Sequence, residues 1–173
     1  MKAASGRTVI RVDLEFVPNL IVQSSSVCGH PPCSGWPDPL KKAIDKRSAE
    51  GGADKGRIFY LTQRQWPSQS TSVVAALLFH VDDHVFRVTQ LGSATDRHAS
   101  QRRVDFTTLL LCAEQVAIAL GLDRVEWLVH TDSAARAACS NHSFRKVRRA
   151  SSRCKSLRAN EILLEKLVAR RLQ

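Results

Sequence analysis

The stretch QRRVDFTTLLLCAEQVAIALGLDRVEWLVHTDSAARAACSNHSF, Gln101–Phe144, decides how the chain folds. Apolar residues at 106, 109, 110, 113, 116, 117 and 120 recur at helical spacing, which predicts a long helix over Asp105–Leu120. Asp105 is a good N-cap, and Gly121 can end the helix in a left-handed turn. Arg124 to His130 alternates as a strand does. Asp132 or Ser133 can then cap a short helix that carries Ala134, Ala135, Ala137 and Ala138.

Upstream, Val73–Val81 and His84–Leu91 flank Asp82-Asp83 and read as an antiparallel hairpin with a polar turn. A short strand over Gly56–Thr62 opens the apolar part of the chain. Residues 1–55 hold Ser24-Ser25-Ser26, Pro31-Pro32 and a charged run from Lys41 to Lys55, which predicts a flexible segment without its own core. One domain over 56–173 is expected to follow it. At the other end, Arg145–Arg158 is dense in cations. Asn160–Leu172 has helical spacing, although Glu161–Val168 could add an edge strand. The expected class is α/β (α+β): a mixed, mostly antiparallel sheet flanked by two or three helices.

The chain has 173 residues and a formal net charge of +10, so an acidic surface is the natural partner, whether nucleic acid, anionic lipid or protein. Five cysteines, an odd number, argue for a reduced compartment over a disulfide framework, and a cytoplasmic or nuclear protein is expected. No secretory signal and no membrane span is read. Cys28, His30 and Cys33 fall short of the four ligands zinc needs, and Asp82-Asp83 between His80 and His84 reads as a turn, so no metal is expected. Cys112 and Cys139 read as core thiols. Glu114 and His130 could serve as bases, but Glu114 reads more simply as a solvated helix residue. Arg102-Arg103, Arg145–Arg149 and Arg153–Arg158 could contact phosphates, yet few aromatics stand among them to stack on bases, which favours a protein-facing surface over RNA.

The strand, loop, long helix, strand, short helix order resembles the GCN5-related N-acetyltransferases. In that family the loop before the long helix reads Arg/Gln-x-x-Gly-x-Gly/Ala, so that backbone N–H groups can approach a pyrophosphate. Here the matching run is Gln101-Arg102-Arg103-Val104-Asp105-Phe106, with side chains where the glycines stand and a carboxylate beside them. The family's Asn-x-x-Ala-x-x-x-Tyr-x-x-x-Gly-Phe corresponds to Asp132, Ala135, Cys139, Ser143 and Phe144, without the Tyr that often acts as general acid. This implies an acetyltransferase-like fold emptied of catalysis, with no cofactor.

Asp105–Gln115, the strand to His130, Arg136-Ala137-Ala138 and Ser143-Phe144 further resemble the ornithine decarboxylase antizymes, as does Cys33-Ser34-Gly35-Trp36-Pro37-Asp38-Pro39-Leu40-Lys41. That resemblance implies a non-catalytic inhibitor in polyamine homeostasis. It would bind the ornithine decarboxylase monomer as a heterodimer, block homodimerisation and promote ubiquitin-independent proteasomal degradation, with antizyme inhibitor and the proteasome as further partners. Its carried-over contact residues would be Glu114, Gln115, Thr131 and Arg136, and the cationic Arg102 and Arg103 would join them. The alternatives are a divergent acetyltransferase, its pyrophosphate held by Arg102 and Arg103, and an inactive scaffold in a ribonucleoprotein.

Overall fold

A computed structural model describes residues 20–24, 35–49, 57–64, 68, 70–82, 84–148 and 151–168. In chain order these form β1 (Leu20–Ser24), α1 (Asp38–Ala49), β2 (Arg57–Arg64), β3 (Thr71–Asp82), β4 (Val85–Ser93), α2 (Ala99–Ala119), β5 (Arg124–Val129), α3 (Asp132–Asn141), β6 (Arg145–Lys146), a 3-10 turn (Ser152–Cys154) and β7 (Ile162–Leu167). The sheet order is β1-β2-β3-β4-β5-β7-β6. The β1–β2, β5–β7 and β6–β7 pairs are antiparallel and β4–β5 is parallel, the expected mixed class. The chain divides into two compact units, Met1–Leu78 with Leu91–Leu109, and Phe79–Gln90 with Leu110–Gln173.

In the first unit, Leu40 and Ile44 of α1 join Trp36, Ile58, Tyr60, Ala76 and Leu78 in one buried cluster. The expectation of a coreless segment through residue 55 does not hold over 36–49. Pro39 sits in the first turn of α1, where its missing N–H has no intrahelical acceptor. Leu40, Ala43 and Ile44 share one face, and the Lys and Asp residues that gave the segment its charged look take the other. Gly92 of β4 faces that helix, and a Cβ there would stand 2.8 Å from Leu40 Cδ2. The Cys28, His30 and Cys33 cluster lies outside the described residues.

The second unit buries Leu110, Cys112, Ala113 and Ala117 of α2 together with Val125, Trp127, Leu163 and Leu164. Phe79 stacks on Phe86 with ring centroids 4.4 Å apart, and Trp127 meets Phe144 edge-on at 6.3 Å. Helix α2 ends as Gly121 predicts: at φ 68° its N–H donates to Ile118 O, and Leu122 N–H donates to Ala117 O. The segment 162–167 is the strand weighed from sequence as the alternative to a helix, but it does not lie at the sheet edge. It pairs with β5 from Arg124↔Leu167 to Val129↔Ile162 and with β6 on its other side. Leu163, Leu164 and Glu165 are all buried, which explains why its pattern lacked strand alternation.

Candidate functional site

The run Gln101–Phe106 is not a loop. Helix α2 begins at Ala99, so these residues occupy its first two turns and Asp105 is not its N-cap. His98 takes the cap position, and its backbone N–H donates to Gln101 Oε1 at 3.0 Å, which is the return half of a capping box. Arg102 N–H closes the first turn on His98 O. Asp105 is fully buried and holds Arg97 through two hydrogen bonds, Nε to Oδ2 at 2.9 Å and NH2 to Oδ1 at 2.7 Å. A third Arg97 bond reaches Gln63 Oε1 at 2.8 Å. This fork neutralises the carboxylate that stands beside the glycine positions of the acetyltransferase pattern. Val104 is 38% exposed on the helix surface and fills no phosphate site. The helix instead opens on Ala99-Ser100, two small exposed residues, and the N–H groups of a first helical turn lack intrahelical acceptors. Arg102 folds back onto Arg97 O and Thr95 O, and Arg103 is exposed.

In the second unit, the parallel β4–β5 ladder runs from Val85↔Arg124 to Val88↔Trp127. Both strands outlast it, β4 through Thr89 and Gln90 and β5 through Leu128 and Val129, so the two stop pairing with each other part-way along.

One rung before that fork lies a row of charge. Arg87 is in register with Glu126, Glu126 with Glu165, and Glu165 with Arg145, so an Arg-Glu-Glu-Arg row crosses four strands. Two carboxylates directly opposite one another repel. Arg153, from the 3-10 turn, lies between them, with NH1 2.8 Å from Glu126 Oε1 and 2.7 Å from Glu165 Oε2. Arg124 Nε adds a bond to Glu126 at 2.9 Å, Arg145 Nε one to Glu165 at 3.0 Å, and Arg87 bridges Glu126 and Asp82. Burial alone would raise the Glu126 pKa, but hydrogen bonds from Arg124 and Arg153, with the charge of Arg87, hold it below the ordinary carboxylate value. Glu165 is likewise held down against burial by Arg153 and Arg145. Much of the basic C-terminal stretch is therefore tied into the fold and is not a free cationic surface.

The residues singled out from sequence are dispersed among structural roles. Glu114 is tied to Lys166 at 2.6 Å, beside a small recess that also holds His142 and Phe144. That recess measures about 220 Å³ including its open mouth, below the 300–1,000 Å³ usual for ligand pockets. Burial, reinforced by Lys166, lowers the His142 pKa. Thr131 caps α3 by accepting the Ala134 N–H at 3.3 Å, in place of Asp132 or Ser133. Arg136 binds Asp132, which Lys146 also holds. Gln115 is exposed, and His130 stands 3.9 Å from Glu161. Cys112 is buried, its thiol pushed up to about 12 by desolvation, which makes it inert. Among the described residues no group of His, Cys, Asp and Glu is set to hold a metal ion.

The fold is that of the GCN5-related N-acetyltransferases. A candidate N-acetyltransferase from Lactobacillus plantarum matches with a TM-score of 0.52 and 15% identity, over 87% of this chain and 99% of that one. A candidate acyl-CoA N-acyltransferase from Klebsiella pneumoniae matches at 0.53 and 14%, over 76% and 86%. The spermidine/spermine N-acetyltransferase of Vibrio cholerae matches at 0.50 and 12%, over 86% and 92%. No family model and no curated protein matches the chain. These neighbours overturn the expectation of a non-enzymatic ornithine decarboxylase inhibitor acting in protein degradation. The blocked phosphate loop on which that expectation leaned is absent too, because the residues said to block it lie inside α2.

Proposed function

We propose that the protein is a divergent acyltransferase that moves an acyl group from an acyl-CoA to an amine. The observation that carries this reading is the start of α2 at Ala99. An early helix start with small residues restores, one to two turns upstream, the exposed N–H groups that glycines supply elsewhere in this fold. The positive end of the helix dipole favours a pyrophosphate there, and exposed Arg103 adds a cation. In the reaction the amine nitrogen attacks the thioester carbonyl, the C–S bond breaks, the nitrogen gives up a proton, and coenzyme A leaves as its thiol.

Calorimetric titration with acetyl-CoA tests the reading, using the wild type and Ala99→Asp. A carboxylate in the first turn favours the helix by about 0.3–1 kcal/mol but repels a pyrophosphate. Binding by the wild type, weakened at least tenfold in Ala99→Asp with no loss of thermal stability, is expected. No binding by the wild type refutes the proposal.

A further inference from the structure

We infer that the acceptor is an amine carrying a carboxylate, an acidic amino acid or an acidic peptide, held by the arginines of the β4–β5–β7–β6 row. This rests on the acyltransferase reading. Four guanidiniums, those of Arg87, Arg124, Arg145 and Arg153, meet three carboxylates, those of Asp82, Glu126 and Glu165, which leaves one positive charge in surplus. The surplus has unused donors. Among the described residues Arg124 and Arg145 each engage a carboxylate through Nε, so their terminal NH1 and NH2 groups remain for another anion. Glu126, with a side chain 1% exposed, anchors three of the four arginines. Guanidiniums fixed in place by a buried anion lose little freedom when a second carboxylate arrives, and their planar forks suit it.

The row is also well placed. Arg87↔Glu126 is the rung next to Val88↔Trp127, the last of the parallel ladder, so the row crosses β4 and β5 one rung from the point where they part. Exposed Arg148 and Lys155 extend the positive field along the same segment of chain. A polyamine acceptor would meet like charge here. The row therefore discriminates against the kind of substrate named for the Vibrio cholerae neighbour.

The test follows coenzyme A release from acetyl-CoA by the full-length protein with four acceptors: glutamate, an acidic tripeptide with a free amino terminus, the fully amidated form of that tripeptide, and spermidine. Arg124→Gln and Arg145→Gln are compared with the wild type and with the Lys replacements. Arg145 is 64% exposed, so its variant is expected to fold, and circular dichroism checks both. The expected result is transfer to an acidic acceptor, with KM raised roughly tenfold to a hundredfold in the Gln variants, kcat nearly unchanged and partial rescue by Lys. Glutamate outperforming the tripeptide would mark a free amino acid as the source of the carboxylate, and the reverse a peptide. Transfer that prefers spermidine or the amidated peptide, with KM unmoved by either Gln variant, overturns the inference and leaves an acyltransferase standing. Failure to bind acetyl-CoA overturns both.

Discussion

Arg153 shows how much one side chain can settle in this protein. It sits between Glu126 and Glu165, which face each other across β5 and β7, and touches both with one terminal nitrogen. Its own guanidinium is held charged chiefly by the hydrogen bond to Glu165. Arg153→Met keeps the aliphatic stem and leaves two carboxylates opposed. Breaking a buried pair costs 3–5 kcal/mol, and because Arg153 is 34% exposed a loss of about 3 kcal/mol is expected in urea denaturation at pH 7. The loss should shrink towards pH 4, where protonation relieves the repulsion. An equal loss at both pH values would mean that Arg153 acts by packing alone. Ser143 is the other residue of note, with a φ of 58° where the acetyltransferase pattern has Gly. A side chain in that region strains the backbone by roughly 1–2 kcal/mol.

At the scale of elements, α1 and α2 both differ from their sequence readings, for opposite reasons. Helix α1 looked loose because Lys and Asp crowd its sequence, yet three apolar residues on one face suffice to bury it. Leu40→Ala is therefore expected to cost about 2–5 kcal/mol in thermal or urea unfolding, as at any fully buried leucine. A change within about 0.5 kcal/mol would show that the helix does not pack. Helix α2 was read as starting at Asp105, since aspartate is among the best N-caps. The partner of Asp105 is eight residues back, and burial of the Arg97–Asp105 fork inside the helix decides the matter. Ala99–Val104 show no apolar periodicity, so nothing in their pattern extended the helix upstream.

For the whole molecule, the 26 Lys and Arg side chains are less available than composition implies, because Arg87, Arg97, Arg124, Arg136, Arg145, Lys146, Arg153 and Lys166 all stand in ion pairs, although the net +10 is unchanged by that pairing. Those pairs set the pH dependence. Glu126 and Glu165 titrate lower in the folded state than in the unfolded chain, so their stabilisation is complete above the ordinary carboxylate value of 4.5 and lost as pH falls through their folded values. Asp132, held down first by the hydrogen bond from Lys146 and then by Arg136, acts in the same direction. Stability measured by thermal unfolding is expected to begin falling near pH 6.5, where His142 takes up a proton more readily in the unfolded chain than when buried, and to fall further below about 5 as the carboxylates protonate. Replacing Glu165 with Gln should lessen that fall. No helix among the described residues is long and apolar enough to cross a membrane.

The sequence by itself determined the local grammar: the β3–β4 hairpin, the apolar body of α2 with its Gly121 stop, strand β5 and the short helix after it. Each of these is written in a period of 2 or 3.6 and in turn residues that act on their own neighbours. Tertiary structure alone decided where α2 begins, that residues 162–167 are a buried strand between β5 and β6, and that Arg87, Glu126, Glu165 and Arg145 share a row. The row's partners lie 39, 39 and 20 positions apart along the chain, and no short-range pattern encodes a row that exists only once four strands have found their register.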